Sequence, residues 1–476
     1  MYVLSTSISE VLYTIICYKI VADGGNEAMK IKLLSILVVV FMASNVFVVA
    51  GAVTKSSSET NLQSKQINQI YGNINGEMEP MTPAHTTGFI EWQKLFDSGY
   101  DDHGHCIQPT TDGGYIVVGN GYGYKVLLIK IDGNGDIQWE KNFGNSFPDY
   151  GWYVLQTDDG GYLVLAETLI GGQHVWLIKT DKDGTKEWER FLGYKPQSAC
   201  RCMQHTRDGG YILAGFTSPA NWLCCYDSWL LKIDSEGYEE WNRTFEQPYY
   251  NWAFYVTQTS DDGFIITGLK CQNLENYSDL WLIKTDSQGN MEWNKIFGDP
   301  KPAEIGKCVQ QTSDGGYIVA GEIYEPAGNI LIKTDDRGNV IWTNSYGGKC
   351  VQQTKDGGYI VTGCKTYKFP WWPYESTDLK LVKLDSQGKK KWCRIYGGLY
   401  DDVGNFVLQT EDGGYIIVGS KEFPMTYPAA QSDVWVIKTG EKPKLNLDKL
   451  MPIAIITNSQ IAKLFTFQSY KQILVR

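Results

Sequence analysis

The fold this sequence predicts is all-β: a closed ring of seven blades, each a four-stranded antiparallel sheet. Two observations lead there. The chain of 476 residues contains 50 Gly, 30 Tyr and 16 Trp, a composition of tight turns and packed strands rather than of helices, since Gly inside a helix costs about 1 kcal/mol. The second is a motif that recurs seven times, the mark of a radial repeat. Charge narrows the function classes. There are 54 acidic against 43 basic side chains, a net charge of −11, which lacks the basic footprint a nucleic-acid binder needs.

The N-terminus reads as an address. Residues 33–53 are almost uninterruptedly apolar, Lys30 and Lys32 precede them, and Ala50-Gly51-Ala52 closes them. Basic, apolar and small-residue regions in that order predict a signal peptide over residues 29–52, and the length of the run keeps an uncleaved anchor open. Met29 stands where such a segment begins, so residues 1–28 read as an upstream extension. Residues 53–87, rich in Ser, Thr, Asn and Gln, read as a flexible linker. The expected location is secreted or cell-surface, with membrane contact only through residues 33–53 if they are retained.

The ring spans residues 88–440. An aromatic follows a Gly-rich turn at Tyr115, Tyr162, Tyr211, Phe264, Tyr317, Tyr359 and Tyr415, within the pattern T-x-D-G-G-Y. Asp262 replaces the first Gly in the fourth copy. Asp-Gly between apolar runs signals a hairpin whose turn needs positive φ. A second hairpin follows, in which an Asp precedes a Gly by three and a Trp lies four beyond: Trp139, Trp188, Trp241, Trp293, Trp342 and Trp392. Each copy thus supplies four short strands. The seventh lacks the Trp strand, and the missing one stands at the front of the ring, at about residues 89–96 around Trp92. The N-terminal strand is therefore expected to complete the last blade and remove the open edge. Residues 441–476 form a tail without repeat character.

Fixed spacings separate scaffold from function. Trp to the next marker aromatic is 23 in five of seven cases, and the strand-three Lys to Trp is 9 in all six measurable cases. Such constancy predicts that each Trp wedges between neighbouring blades. Only the loop between the second and third strands varies strongly, and it falls on the face of the blade-to-blade connections, where binding is expected. Seven lysines recur before the second turn: Lys130, Lys179, Lys232, Lys284, Lys333, Lys383 and Lys438. A Lys–Asp pair within each blade is expected rather than a cationic ring, and at surface strength it is worth about 0–1 kcal/mol.

Candidate chemistry is sparse. Cys106, Cys202, Cys308 and Cys350 lie nine residues before the marker aromatic, where other copies carry Tyr153, Tyr255 and Phe406. Exchange with aromatics marks packing, and four different blades are expected to hold these thiols far apart, against a metal site. Asp132-Gly133-Asn134-Gly135-Asp136 mimics a calcium loop, but its twelfth position is Phe143 where a Glu is needed. His103 and His105 sit beside Asp101 and Asp102 without a nucleophile motif. No catalytic residue and no metal is assigned. The candidate ligand surface is aromatic: Trp371, Trp372 and Tyr374 in the sixth variable loop, Trp222 and Tyr226 in the third, and Tyr249, Tyr250 and Trp252 before the fourth blade. These suit stacking on an extracellular glycan or anchoring a protein partner, or they pack on one another beneath long loops.

The turn-and-Trp unit, as in "LIKTDSQGNMEWNKIFG", resembles the repeat of quinoprotein-dehydrogenase-like propellers, and the whole unit resembles a group of exported repeat proteins of archaea and bacteria. That resemblance implies the propeller fold over residues 88–440. It also implies a pyrroloquinoline quinone (PQQ) and calcium site of which only the adjacent Cys224-Cys225 has a counterpart here. The expectation is a non-catalytic propeller that binds a polymer or protein without a cofactor; a PQQ-dependent oxidoreductase and a purely structural envelope protein are the alternatives.

Overall fold

In the computed structural model the described residues are 90–440, apart from loop positions 122, 145–147, 170–171, 194–196, 219–225, 246–248, 272–277, 299–302, 325–326, 369–374, 399 and 424–430, together with the backbone of three strands near the N-terminus. Those three are β1 (Tyr13–Cys17), β2 (Leu37–Ala43) and β3 (Val46–Ala52), which pair antiparallel. The apolar run read as a leader thus carries β2 and β3; the linker and the C-terminal tail lie outside the described residues. Among the described residues no helix is long and apolar enough to cross a membrane.

The ring is a seven-bladed propeller. β4 (Ile90–Phe96) precedes the first blade, which is β5 (His103–Pro109), β6 (Tyr115–Gly121), β7 (Lys125–Ile131) and β8 (Ile137–Phe143). The second is β9 (Asp149–Gln156), β10 (Tyr162–Thr168), β11 (His174–Thr180) and β12 (Lys186–Leu192). The third is β13 (Ser198–His205), β14 (Tyr211–Thr217), β15 (Asp227–Ile233) and β16 (Glu239–Phe245). The fourth is β17 (Asn251–Gln258), β18 (Phe264–Cys271), β19 (Ser278–Thr285) and β20 (Met291–Phe297). The fifth is β21 (Ala303–Gln311), β22 (Tyr317–Tyr324), β23 (Gly328–Thr334) and β24 (Val340–Asn344). The sixth is β25 (Cys350–Gln353), β26 (Tyr359–Lys368), β27 (Glu375–Leu384) and β28 (Lys390–Tyr396). The seventh is β29 (Asp402–Gln409), β30 (Tyr415–Phe423) and β31 (Gln431–Thr439), completed by β4 on its outer edge. Trp92 pairs with Lys438 there, as Trp139 pairs with Lys130 inside the first blade.

Burial follows strand position. The innermost strands β5, β9, β13, β17, β21, β25 and β29 touch their successors around the axis. Second strands such as β6, β10 and β14 are buried along their whole length, whereas outer strands such as β8 and β12 alternate exposed and half-buried residues. The half-buried residue at the centre of that alternation is the repeat Trp. Trp139 meets Tyr162 of the next blade edge-on at 5.7 Å, and Trp92, Trp293, Trp342 and Trp392 meet Tyr115, Tyr317, Tyr359 and Tyr415 at 5.8–6.4 Å. Trp188 lies against Gly237 and Trp241 against Gly289, each in the following blade. The expected wedge between blades is what the structure shows.

The repeated turns lie on one face of the ring. In each T-x-D turn the Thr hydroxyl and the second Gly N–H donate to the Asp carboxylate, as in Thr157 Oγ1 to Asp159 Oδ1 at 2.5 Å and Gly161 N at 2.9 Å. The opposite face carries the blade-to-blade connections and the variable loops, and there the ring opens into a funnel.

Candidate functional site

The funnel is built by one recurrent irregularity. Ten residues before each marker aromatic stand His105, Trp152, Arg201, Phe254, Lys307, Lys349 and Asn405. In six blades this residue falls where the register between the first and second strands slips: between Gly104 and Cys106, Gly151 and Tyr153, Cys200 and Cys202, Ala253 and Tyr255, Gly306 and Cys308, and Gly404 and Phe406. A bulge turns two consecutive side chains toward the same side. Here it aims both this residue and its successor at the axis. In the sixth blade the shorter β25 begins at Cys350, and Lys349 enters the funnel from the chain just before it.

The successors form a floor. Tyr153 and Tyr255 meet through their hydroxyls at 3.4 Å, Phe406 packs edge-on to Tyr153 at 5.8 Å, and Gln204 Nε2 donates to Tyr153 Oη at 2.6 Å. Cys106, Cys202, Cys308 and Cys350 fill the spaces between them and are buried, unpaired thiols. Burial pushes Cys106 up to about 12, so it stays protonated and unreactive. The expectation that four blades would hold these cysteines far apart is corrected: innermost strands converge at the axis, and Cys308 Sγ lies 3.9 Å from Cys350 Sγ. Their role is packing, as the exchange with aromatics predicted.

Above the floor lies a cavity of about 680 Å³. One wall is a stack. His105 lies parallel to Trp152 at 4.4 Å, and the Arg201 guanidinium covers the Trp152 ring at 3.7 Å. His105 Nδ1 lies 2.8 Å from the Gly151 carbonyl, yet burial lowers the imidazole to about 3, so it is neutral. Glu167, nearly buried, accepts from Arg201 at 2.5 Å and from Trp152 Nε1 at 3.2 Å. Lys307 lies over Phe254 at 4.7 Å and 3.5 Å from Glu322. Burial holds its ammonium below the ordinary value, and the positive charges of Lys349 and Arg201 act the same way. Lys349 Nζ donates to Asn405 Oδ1 at 2.9 Å, and Asn405 Nδ2 donates to the Gly104 carbonyl at 2.7 Å. Three cations from the third, fifth and sixth blades thus share one cavity. The same cavity is also lined by the carboxylates of Asp101, Asp401 and Glu422.

That lining also carries a Ser–His–Asp juxtaposition. His103 Nδ1 lies 3.0 Å from Ser420 Oγ, and His103 Nε2 lies 3.5 Å from Asp101 Oδ2. Ser420 sits mid-strand in β30 and is 7% exposed, while the Asp101 side chain is 58% exposed. A nucleophile needs the reverse, an open hydroxyl and a sheltered orienting carboxylate, so the trio reads as part of the wall.

The sequence-predicted ligand aromatics divide. Trp222, Trp371, Trp372 and Tyr374 lie outside the described residues. Tyr226, Tyr250 and Trp252 gather around Phe216: Trp252 stacks on Phe216 at 4.9 Å, and Tyr226 meets both edge-on at 5.1 and 5.9 Å. Tyr250 is 6.4 Å from Trp252, and half-buried Tyr249 accepts from Asn251 through its carbonyl. Trp252 also touches Phe254 at 6.0 Å, so the cluster backs the funnel wall. The cationic residues of the funnel were missed because no motif repeats at their position. The available signal was the column ten before the marker, where residue type varies around the ring and the fifth and sixth blades both carry Lys.

No family model matches the chain, and no curated protein matches it in sequence. Solved structures align with it in fold. Puromycin hydrolase aligns with a TM-score of 0.48 at 11% identity over 70% of this chain and 51% of its own, so the chain spans about half of that protein. A europium-containing methanol dehydrogenase aligns at 0.41 and 8% identity over 90% and 93%. Sqt1 from Chaetomium thermophilum aligns at 0.41 and 11% over 68% and 83%. These likenesses are of fold alone.

Proposed function

We propose that this chain is a non-catalytic, exported or cell-surface propeller that binds an acidic polymer through its variable-loop face, with the funnel seating one of the polymer's carboxylates. The observation that carries the reading is the convergence of Arg201, Lys307 and Lys349 in one cavity of a protein whose net charge is −11. Charge-assisted hydrogen bonds to a carboxylate are the strong ones, more so in a partly desolvated recess. The carboxylates of Asp101, Asp401 and Glu422 in the same lining favour ligand donors, as the hydroxyls of a uronic acid would supply. Trp371, Trp372, Tyr374 and Trp222 lie outside the described residues, and the sequence expectation that their loops contribute aromatic stacking to neighbouring sugars is kept as part of the proposal.

Calorimetric titration with polygalacturonate, dextran and polyglutamate tests this. Polygalacturonate is expected to bind, dextran not, and the double variant Lys307→Met/Lys349→Met to weaken binding about 10–100-fold, as the loss of charged hydrogen bonds implies. Equal binding of dextran, or an unchanged affinity in the double variant, would overturn the funnel reading. Preference for polyglutamate would move the ligand class to acidic protein.

A further inference from the structure

The ring closes at a seam between the seventh and first blades, and three aspartates meet there. Asp97 follows β4, Asp102 precedes β5, and Asp433 lies in β31. One carboxylate oxygen from each lies within 4.8 Å of the other two. Asp102 is fully buried and Asp433 is 7% exposed. Two of the three are held in place. Asp102 accepts from the Ser98 amide and hydroxyl, both at 2.6 Å, and Asp97 Oδ1 accepts from the Gly99 amide at 2.6 Å and from Gln431 Nε2 at 2.9 Å. Asp433 differs: its Oδ1 is buried and accepts no hydrogen bond from the described residues.

A buried carboxylate without a donor is costly, and like charges around it add to the cost. The charges acting on Asp433 are both negative, those of Asp97 and Asp102. The contrast is the junction one blade earlier, where Asp378 and Asp402 also converge but the Lys421 ammonium offsets them. At the seam no such counter-charge stands among the described residues, and the oxygens already lie at coordination distances. Hard all-oxygen donors suit calcium, whose flexible geometry accepts an irregular set of carboxylates more readily than the strict octahedron of magnesium.

We propose that Asp97, Asp102 and Asp433 hold a calcium ion that locks the closure of the ring. The three ligands come from the chain leaving the closing strand, the chain entering the first blade, and the strand to which β4 is hydrogen-bonded. An ion there ties the two ends of the propeller together by bonds additional to the β31–β4 ladder. This site is separate from the loop Asp132–Asp136, whose Asp132 carboxylate is occupied by the amides of Asn134 and Asp136.

The test is calorimetric titration of the full chain, stripped with EDTA, with CaCl2, alongside its melting temperature. One ion per chain and a raised melting temperature are expected, with weaker binding of MgCl2. Asp433→Asn and Asp97→Asn should each weaken calcium binding by about tenfold or more, at about 1.4 kcal/mol per decade, while Asp132→Asn leaves it unchanged. Absence of binding at millimolar calcium, undiminished binding in both seam variants, or loss of binding in Asp132→Asn would overturn the proposal. Should Asp433→Asn not fold, exposed Asp97 reads the same site.

Discussion

At the scale of single residues, the repeated lysine shows how burial changes what a charge is worth. Lys333 Nζ lies 3.0 Å from the Asp314 carboxylate and donates to the Thr334 carbonyl at 2.8 Å, with its side chain 3% exposed. All seven copies make the same pair, from Lys130–Asp112 to Lys438–Asp412. The pairing is the one sequence spacing implied, but its strength is not that of a surface pair. Removing an ammonium withdrawn from water leaves the carbonyl of buried Thr334 without its donor, although exposed Asp314 can turn to water. Lys333→Met is therefore expected to cost about 1–3 kcal/mol in urea unfolding, above the roughly 0–1 kcal/mol of an exposed pair. Polygalacturonate binding should not change, since this lysine lies on the turn face, away from the funnel. A cost within the surface range would show that the turn relaxes around the loss.

At the scale of strands and turns, the blade interface rests on a contact that only glycine permits. Gly338 has φ near 75° and sits in the second turn of the fifth blade; a Cβ there would lie 2.7 Å from the Trp293 ring of the blade before. Gly315, in the first turn of the same blade, has φ near 84° but nothing within 4 Å of such a Cβ. Both incur the left-handed penalty of about 1 kcal/mol when changed to Ala, but only Gly338→Ala also displaces a wedge. Gly338→Ala is expected to lose about 1–2 kcal/mol more than Gly315→Ala by thermal unfolding, on the scale of overpacking a filled site. Equal losses would mean that Trp293 is free to move. This part of the fold was legible because Trp, Gly and Asp recur at fixed spacing, and packing demands the same residue in every blade. The funnel was not legible for the opposite reason. His105, Trp152, Arg201, Phe254, Lys307, Lys349 and Asn405 share a place but no repeated motif, and the bulge that aims six of them leaves no sequence signal of its own. The seam aspartates are equally silent, since Asp97 and Asp433 meet only once the ring has closed.

At the scale of the whole molecule, two sets of carboxylates pull stability in opposite directions with pH. In the T-x-D turns, the Lys179 ammonium and Thr157 hydroxyl hold Asp159 at about 2, and Asp112, Asp261 and Asp412 also stand at about 2, their hydrogen bonds to Thr, Lys and Gly outweighing burial. An unfolded Asp titrates at about 3.9, so these groups contribute stability above that value and lose it as pH falls toward 2. Asp378 and Asp402 converge over Gly397, where burial, opposed by Lys421 and the Gly398 amide, raises them to about 6 and about 7. Lys365 lowers Asp378, Asp401 raises it, and the Glu422 amide lowers Asp402. The folded state here binds its protons more tightly than the unfolded chain. Their favourable contribution is complete below about pH 4 and is lost as pH rises through 6 and 7. Taken alone, the contribution of these two carboxylates would decline by roughly 1–3 kcal/mol between pH 4 and 8. That range follows from about 1.4 kcal/mol for each tenfold change in proton affinity, discounted for solvent screening and for the mutual repulsion of the pair. Buried His105, held at about 3 against an unfolded value of about 6.5, gains stability over pH 3–6.5 and opposes them there, so the pair is read from the difference between wild type and variant. Urea midpoints from pH 2 to 8 measure the profile. In Asp378→Asn/Asp402→Asn the upper limb should become shallower, with Asp433 at about 6 still contributing to it, while the acid limb stays, because the amides keep the shape and the Gly398 contact without the charge. A double variant whose midpoints track those of the wild type from pH 4 to 8 would mean that water or an ion reaches the pair over Gly397, and that the glycine leaves room for it.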